Sequence, residues 1–264
     1  MLVKKTKSVT VINNDSNNNK NISEIDIIRL KSWMYHVFQS QNTDNLIDFE
    51  KKLLSNGVMS DYSLRWDLYS RGVRCPSVQT LSIVEDVLGV PGSIYTEGEL
   101  EGQWRVLQGD YVVCKKVVNA ELKRVGYREF IKLGMPMNEK IRIFYELLIP
   151  KDFDTSLKNI DKSILKSKKI TKDTSPIQAA YLLGMDDNPE INKYGIVLSP
   201  SLIIAVIAMW QISRITKELY IDADIMLSGI LADAILYEFP DCGIELKKYL
   251  TEKLTNKEFY EQRF

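Results

Sequence analysis

The chain has 264 residues, which fits one large domain or two modest ones. Apolar residues make up 45 % and charged residues 27 %, an ordinary balance for a globular protein with a buried core. Lysine plus arginine equals aspartate plus glutamate, at 35 each, so no global field steers the protein toward DNA, RNA or anionic lipid, and any nucleic-acid binding must come from a local patch.

Residues 1–21 close on Asn13–Asn21, nine residues of which six are asparagine. Such a stretch buries too little surface to order itself and reads as a disordered tail, with Val9, Val11 and Ile12 patterned as a short strand. The basic residues after Met1 lead into no long apolar run, so no secretory signal is expected. Helix signals begin at Ser23, an N-cap with Asp26 at the reciprocal position of a capping box. Ile27, Leu30, Met34 and Phe38 follow at spacings of three and four, one face of a helix. After a break at Gln41–Asp44, a second helix carries Leu46, Phe49, Leu53 and Leu54 and ends at Ser55-Asn56-Gly57, the glycine suited to a left-handed cap. Ser60 suits the cap of a third helix, Asp61–Ser70, which Gly72 stops. The loop Val73–Pro76 leads to Ser77, the cap of a fourth helix with Val78, Leu81, Val84, Val87 and Leu88 on one face. Gly89 ends that helix, and Pro91-Gly92 bar its continuation.

Residues 96–112 hold glycines among acidic residues around Trp104 and read as a linker. Helical periods return over residues 115–133, 138–148, 154–168, 176–184, 200–219, 223–237 and 242–256. Ser175-Pro176 and Ser199-Pro200 each set a capping serine before a proline at the first helical position. The most apolar run, Ile196–Trp210, is cut by Pro200; about ten residues remain, too few to cross a bilayer, and they read as a core helix. The predicted fold is mostly α: a helix-turn-helix-like bundle over 22–95, the linker, then an all-α helical domain over 113–264.

Within the first bundle, Tyr69, Arg71, Gly72, Arg74, Pro76, Ser77, Leu81, Leu88 and Gly89 form a distinctive pattern. An aromatic residue near a helix end precedes Arg-Gly, a basic loop, Pro-Ser and an amphipathic helix ending in Leu-Gly. The segment of residues 46–90 thereby resembles a lambda-repressor-like (Cro-type) helix-turn-helix. That resemblance implies major-groove reading by the third helix and a dimer on paired half-sites. Arg65, Arg71, Arg74 and Ser63, with Lys51 and Lys52 on the preceding helix, are then the expected contacts to duplex DNA. Two features depart from the pattern: the turn from Leu54 to Ser60 is long, and Asp61 and Asp67 sit on the expected reading face. Residues 1–95 hold eleven basic and ten acidic side chains, so the basic footprint usual in DNA-binding domains is absent. Trp66, Tyr69, Gly72, Pro76, Leu81, Glu85, Pro91-Gly92-Ser93 and Trp104–Leu107 also resemble a group of bacterial proteins without an assigned activity. This second likeness implies a bacterial or mobile-element origin and no particular chemistry.

Elsewhere Lys158, Lys162, Lys166, Lys168, Lys169 and Lys172 form a second basic cluster, three of them at four-residue steps. It suits either a nucleic-acid backbone or plain solvent. Catalytic signals are poor. His36 is the single histidine, it lies among apolar residues, and it reads as an ordinary helix residue. Paired-histidine metal sites are thereby excluded, and no metal or cofactor is expected. Ser163-Ile-Leu-Lys166 matches S-x-x-K without companion motifs. Asp186/Asp187 and Asp222/Asp224 suit magnesium or solvent alike. Cys75, Cys114 and Cys242 are odd in number and too widely spaced for a C-x-x-C pair, which fits a reduced, cytoplasmic setting.

Two functional expectations follow. In the first, the protein is a DNA-associated regulator whose C-terminal helices dimerise or sense a ligand. In the second, the bundle is a docking scaffold in a protein-interaction or effector component of a bacterial defence or toxin cassette. A third expectation, an enzyme with an unfamiliar carboxylate or tyrosine site in residues 113–264, has only the absence of a motif to set against it.

Overall fold

Serine caps start the helices where the sequence places them. In the computed structural model, which describes residues 22–55, 63–132 and 134–255, Ser23 Oγ accepts from the Asp26 amide at 3.1 Å and donates to Asp26 Oδ2 at 2.7 Å. The box at the start of α1 (Glu24–Ser40) thus closes side chain to side chain. Next come α2 (Leu46–Ser55) and α3 (Ser63–Ser70); the expected cap Ser60, the stop Gly57 and Asp61 lie outside the described residues. Ser77 accepts from the Thr80 amide at 3.1 Å to start α4 (Val78–Leu88), and Gly89 closes it in the left-handed conformation. A short α5 (Ser93–Thr96) follows the Pro91-Gly92 turn.

The segment expected to be a linker holds α6 (Gln103–Leu107), with Trp104, Val106 and Leu107 each at most 1 % exposed. The acidic residues Glu97, Glu99 and Glu101 stay at the surface while the apolar ones turn inward, so a charge-rich composition hides a buried wedge.

The remaining helices are α7 (Tyr111–Arg124), α8 (Arg128–Lys132), α9 (Met137–Leu148), α10 (Phe153–Asn159), α11 (Lys162–Ser167), α12 (Pro176–Gly184), α13 (Pro189–Asn192), α14 (Pro200–Thr216), α15 (Tyr220–Leu231), α16 (Ala234–Glu238) and α17 (Gly243–Thr255). No strand occurs among the described residues, and the fold is all-α. Three expected helices are broken in two. Gly126, at φ +97°, turns the chain between α7 and α8. Asp161 caps a fresh start through the Ser163 amide at 2.7 Å, separating α10 from α11. Ala232 and Asp233 separate α15 from α16. Apolar period reports which side faces inward, and a turn that keeps the same side inward leaves the period intact.

The hydrophobic effect gathers these helices around α14. From Leu202 to Trp210 every residue of α14 is buried, because α7, α15 and α6 enclose it. A helix apolar all round belongs in a core of this kind. Among the described residues no helix is long and apolar enough to cross a membrane. A second core lies under α1–α5 and is aromatic: Trp33, Phe49, Trp66, Tyr69 and Tyr95. A third, smaller one joins α10 and α12 through Phe153, Ile160 and Leu183. The first and second cores meet along α1, which packs on α3, α4 and α5 by one side and on α6 and α17 by the other. Ile28 of α1 accordingly belongs to the large core, while Leu30, Trp33 and Val37 belong to the aromatic one.

Candidate functional site

The expected DNA-reading helix is held from behind by aromatic packing. Trp66 stacks near Trp33, with centroids 6.2 Å apart, and meets Phe49 edge-on at 5.0 Å and Tyr69 at 6.0 Å. Trp66 and Tyr69 are 6 % and 3 % exposed, so neither is placed to stack on a base. These rings fix α3 against α1 and α2, and what remains for recognition is its charged edge.

That edge is self-neutralised. Arg71 grips Asp67 with two bonds, Nε to Oδ1 at 3.0 Å and Nη2 to Oδ2 at 2.6 Å. Lys51 lies 3.5 Å from Asp48, and the Asp48 carboxyl is held below its ordinary value, first by Asn45 and then by Lys51. Lys52 donates to the carbonyls of Gln41 and Asn42, closing the α1–α2 turn. Arg74 is half-buried in the loop before α4 and is itself engaged. Ser63 and Arg65 lie in the first turn of α3. The surface is therefore mixed in sign.

The second basic cluster is not one helical face. Lys158 belongs to α10, while Lys162 and Lys166 belong to α11 beyond the break at Asp161. Lys168 pairs with Asp186 at 2.7 Å, and Lys169 stands in a left-handed turn. Lys158, Lys162, Lys166 and Lys169 are exposed. Ser163 of the S-x-x-K match is bonded to the capping Asp161 carboxylate, which keeps that carboxyl low. One member of each acidic pair is engaged, Asp186 by Lys168 and Asp224 by the Trp210 indole N–H at 2.8 Å. Cys114 and Cys242 are buried; burial pushes the Cys114 thiol up to about 12 and raises Cys242 well above its usual value. Both behave as core residues.

A groove of about 470 Å³ lies between the 97–102 turn, α7 and the start of α14. Leu100, Val113, Val117 and Ile204 line its apolar part. Its charged lining comes as pairs, Lys116 with Glu101 and Arg124 with Glu121, while Arg105 pairs with Asp110 beside it. The Glu121 side chain is only 4 % exposed, and its bond to Arg124 raises the guanidinium further. Composition read this stretch as a linker, and charge alternation concealed the groove.

One more cluster lies at the seam of the two larger cores. His36 of α1, Glu99 of the 97–102 turn and Asp241 of the α16–α17 turn bring one donor atom each within 4.8 Å of one another. His36 Nε2 lies against Glu99 Oε1 but without hydrogen-bond geometry, and the nitrogen is shut off from water. The sequence reading of His36 as a satisfied helix residue is thus incomplete. Its partners are far apart along the chain, and a lone histidine on an apolar helix was the sole signal available.

No known protein family, no curated protein and no solved structure matches the chain.

Proposed function

We propose that the protein is a binding component rather than a catalyst, and that the groove beside α7 receives an amphipathic segment of a protein partner. The observation that carries this reading is the groove itself: an apolar floor of Leu100, Val113, Val117 and Ile204 with a rim of both charge signs. A helix with an apolar stripe and flanking charges of both signs is the complement of such a surface. The helix-turn-helix-like bundle then serves as the scaffold that holds the 97–102 turn in place. This matches the docking role in a defence or effector cassette better than a DNA-reading role.

A second reading, the DNA-associated regulator, keeps one supporting observation. The Arg71–Asp67 pair is open to water, with side chains 59 % and 41 % exposed. An exposed pair is worth about 0–1 kcal/mol, so a phosphate can displace the carboxylate.

Val112 tests the first reading. It lines the groove, is 73 % exposed and sits in the first turn of α7, where an added carboxylate is tolerated by the helix dipole. The Val112→Asp protein should fold with an unchanged melting temperature and lose a defined protein that the unaltered chain captures from its native host. Equal capture by both proteins would remove the groove as the docking site. If the captured material is instead duplex DNA, its log affinity should fall with log salt by about 0.9 per phosphate contact. Tightening by Asp67→Asn would then transfer the assignment to α3.

A further inference from the structure

The His36, Glu99 and Asp241 side chains come from three separate elements, α1, the 97–102 turn and the α16–α17 turn. Two carboxylates and an imidazole converge there, and among the described residues no lysine or arginine pairs with either carboxylate. Lys31, also on α1, donates to the Ser70 carbonyl at 3.0 Å and lies 4.0 Å from Glu245. Two carboxylates drawn together repel, and the imidazole beside them offsets that only when protonated, so a cation between them suits the arrangement. The chemistry of the donors decides which kind. An imidazole nitrogen favours a transition ion over magnesium or calcium, and carboxylates exclude the soft ions that prefer thiolates.

Two further observations concern buried polar atoms on α1. His36 Nε2 is buried and makes no hydrogen bond. Ser32, one turn earlier on the same face of α1, is 0 % exposed and its hydroxyl is also unpartnered. Buried polar atoms without partners are rare enough to demand a reason. We propose that His36, Glu99 and Asp241 form a site for one divalent transition cation of the zinc class, which ties the N-terminal bundle to the α16–α17 turn.

The geometry accommodates it. Tetrahedral ligands at 2.0–2.2 Å from zinc stand about 3.3 Å apart. The three donor atoms lie within 4.8 Å of one another, and the His36–Glu99 approach is closer than two ligands of one ion. Glu99 is 41 % exposed on a turn, so its side chain has room to withdraw and admit the ion. With three protein donors, a water would complete a four-ligand shell.

The experiment is a titration of the full chain with Zn²⁺, Mn²⁺ and Mg²⁺ separately, read by calorimetry and by melting temperature. Zn²⁺ should bind once per chain and raise the melting temperature, and Mg²⁺ should do neither. His36→Asn, Glu99→Gln and Asp241→Asn should each weaken Zn²⁺ by more than the 10–100-fold that follows from losing a group that merely orients a ligand. Co²⁺ should give a visible ligand-field band in the unaltered chain that Glu99→Gln changes in position or intensity. Glu99 is exposed, so Glu99→Gln keeps the test valid even where the His36 variant fails to fold. Absence of saturable Zn²⁺ binding, or binding left intact by Glu99→Gln and Asp241→Asn, would overturn the site and leave a His36–Glu99 contact in its place.

Discussion

Trp66 shows how far a single residue can be read from sequence. Three-residue spacing from Tyr69 left two roles open, core or base stacking, and the ring contacts with Trp33, Phe49 and Tyr69 place it in the core. Its indole N–H finds no acceptor among the described residues, and neither does that of Trp33. Trp104 and Trp210 differ, donating to the Ile94 carbonyl at 3.0 Å and to Asp224 at 2.8 Å. Trp66→Ala should therefore cost roughly 3–5 kcal/mol through the cavity it leaves. Trp66→Phe should cost much less, since it removes no hydrogen bond and keeps most of the aromatic contact. Chemical denaturation of the two variants checks this, and equal losses would mean that the indole N–H has a partner after all. The arginines were less legible. Sequence marks Arg71 as cationic, but four-residue spacing from Asp67 also predicts the pair that neutralises it.

At the scale of elements, caps were the most legible feature, because a serine or aspartate before an apolar period has a direct geometric purpose. Breaks inside long periods were the least legible, since burial pattern carries no record of chain direction. Asp110 joins both lessons: it was taken as linker and is the N-cap of α7, accepting from the Val113 amide at 3.1 Å. That bond and, after it, the Arg105 bond hold the Asp110 carboxyl below its ordinary 3.8. Asp161 caps α11 in the same way, with Ser163 holding its carboxyl low. The sign follows from linkage. A carboxyl lowered by folding stabilises the protein fully above its ordinary value and loses that contribution as pH falls through the folded one. The melting temperature should thus decline as pH drops below 3.8, and Asp110→Asn should make the decline shallower by removing one such group. An unaltered slope in that variant would show that folding does not lower the Asp110 carboxyl. Asparagine still accepts the amide bond, so the comparison keeps the cap and removes the charge together with its Arg105 bond.

For the molecule as a whole, composition suggested two bodies joined by a linker, and the contacts argue for one cooperative unit. α1 is shared between the aromatic core and the large core. α6 fills the gap where a linker was expected, and the Leu107 carbonyl accepts from Gln211 Nε2 at 3.1 Å and from Tyr249 OH at 3.0 Å. Trp104 reaches the other way, its indole bonded to the Ile94 carbonyl beside the aromatic core. Opening the seam would expose Ile28, Trp104 and Leu107, each at most 1 % exposed, and would strand these hydrogen bonds. Apolar area of that extent is worth about 25 cal/mol per Å², so neither half should melt without the other. The four tryptophans make this measurable, because Trp33 and Trp66 report on the aromatic core while Trp104 and Trp210 report on the large one. In urea, fluorescence from a Trp33→Phe/Trp66→Phe protein and from a Trp104→Phe/Trp210→Phe protein should each coincide with loss of helical circular dichroism in the same protein. Two separated transitions, with the aromatic core lost first, would restore the two-domain division at residues 96–112. The shared α1 would then be a contact surface rather than a structural member of both cores.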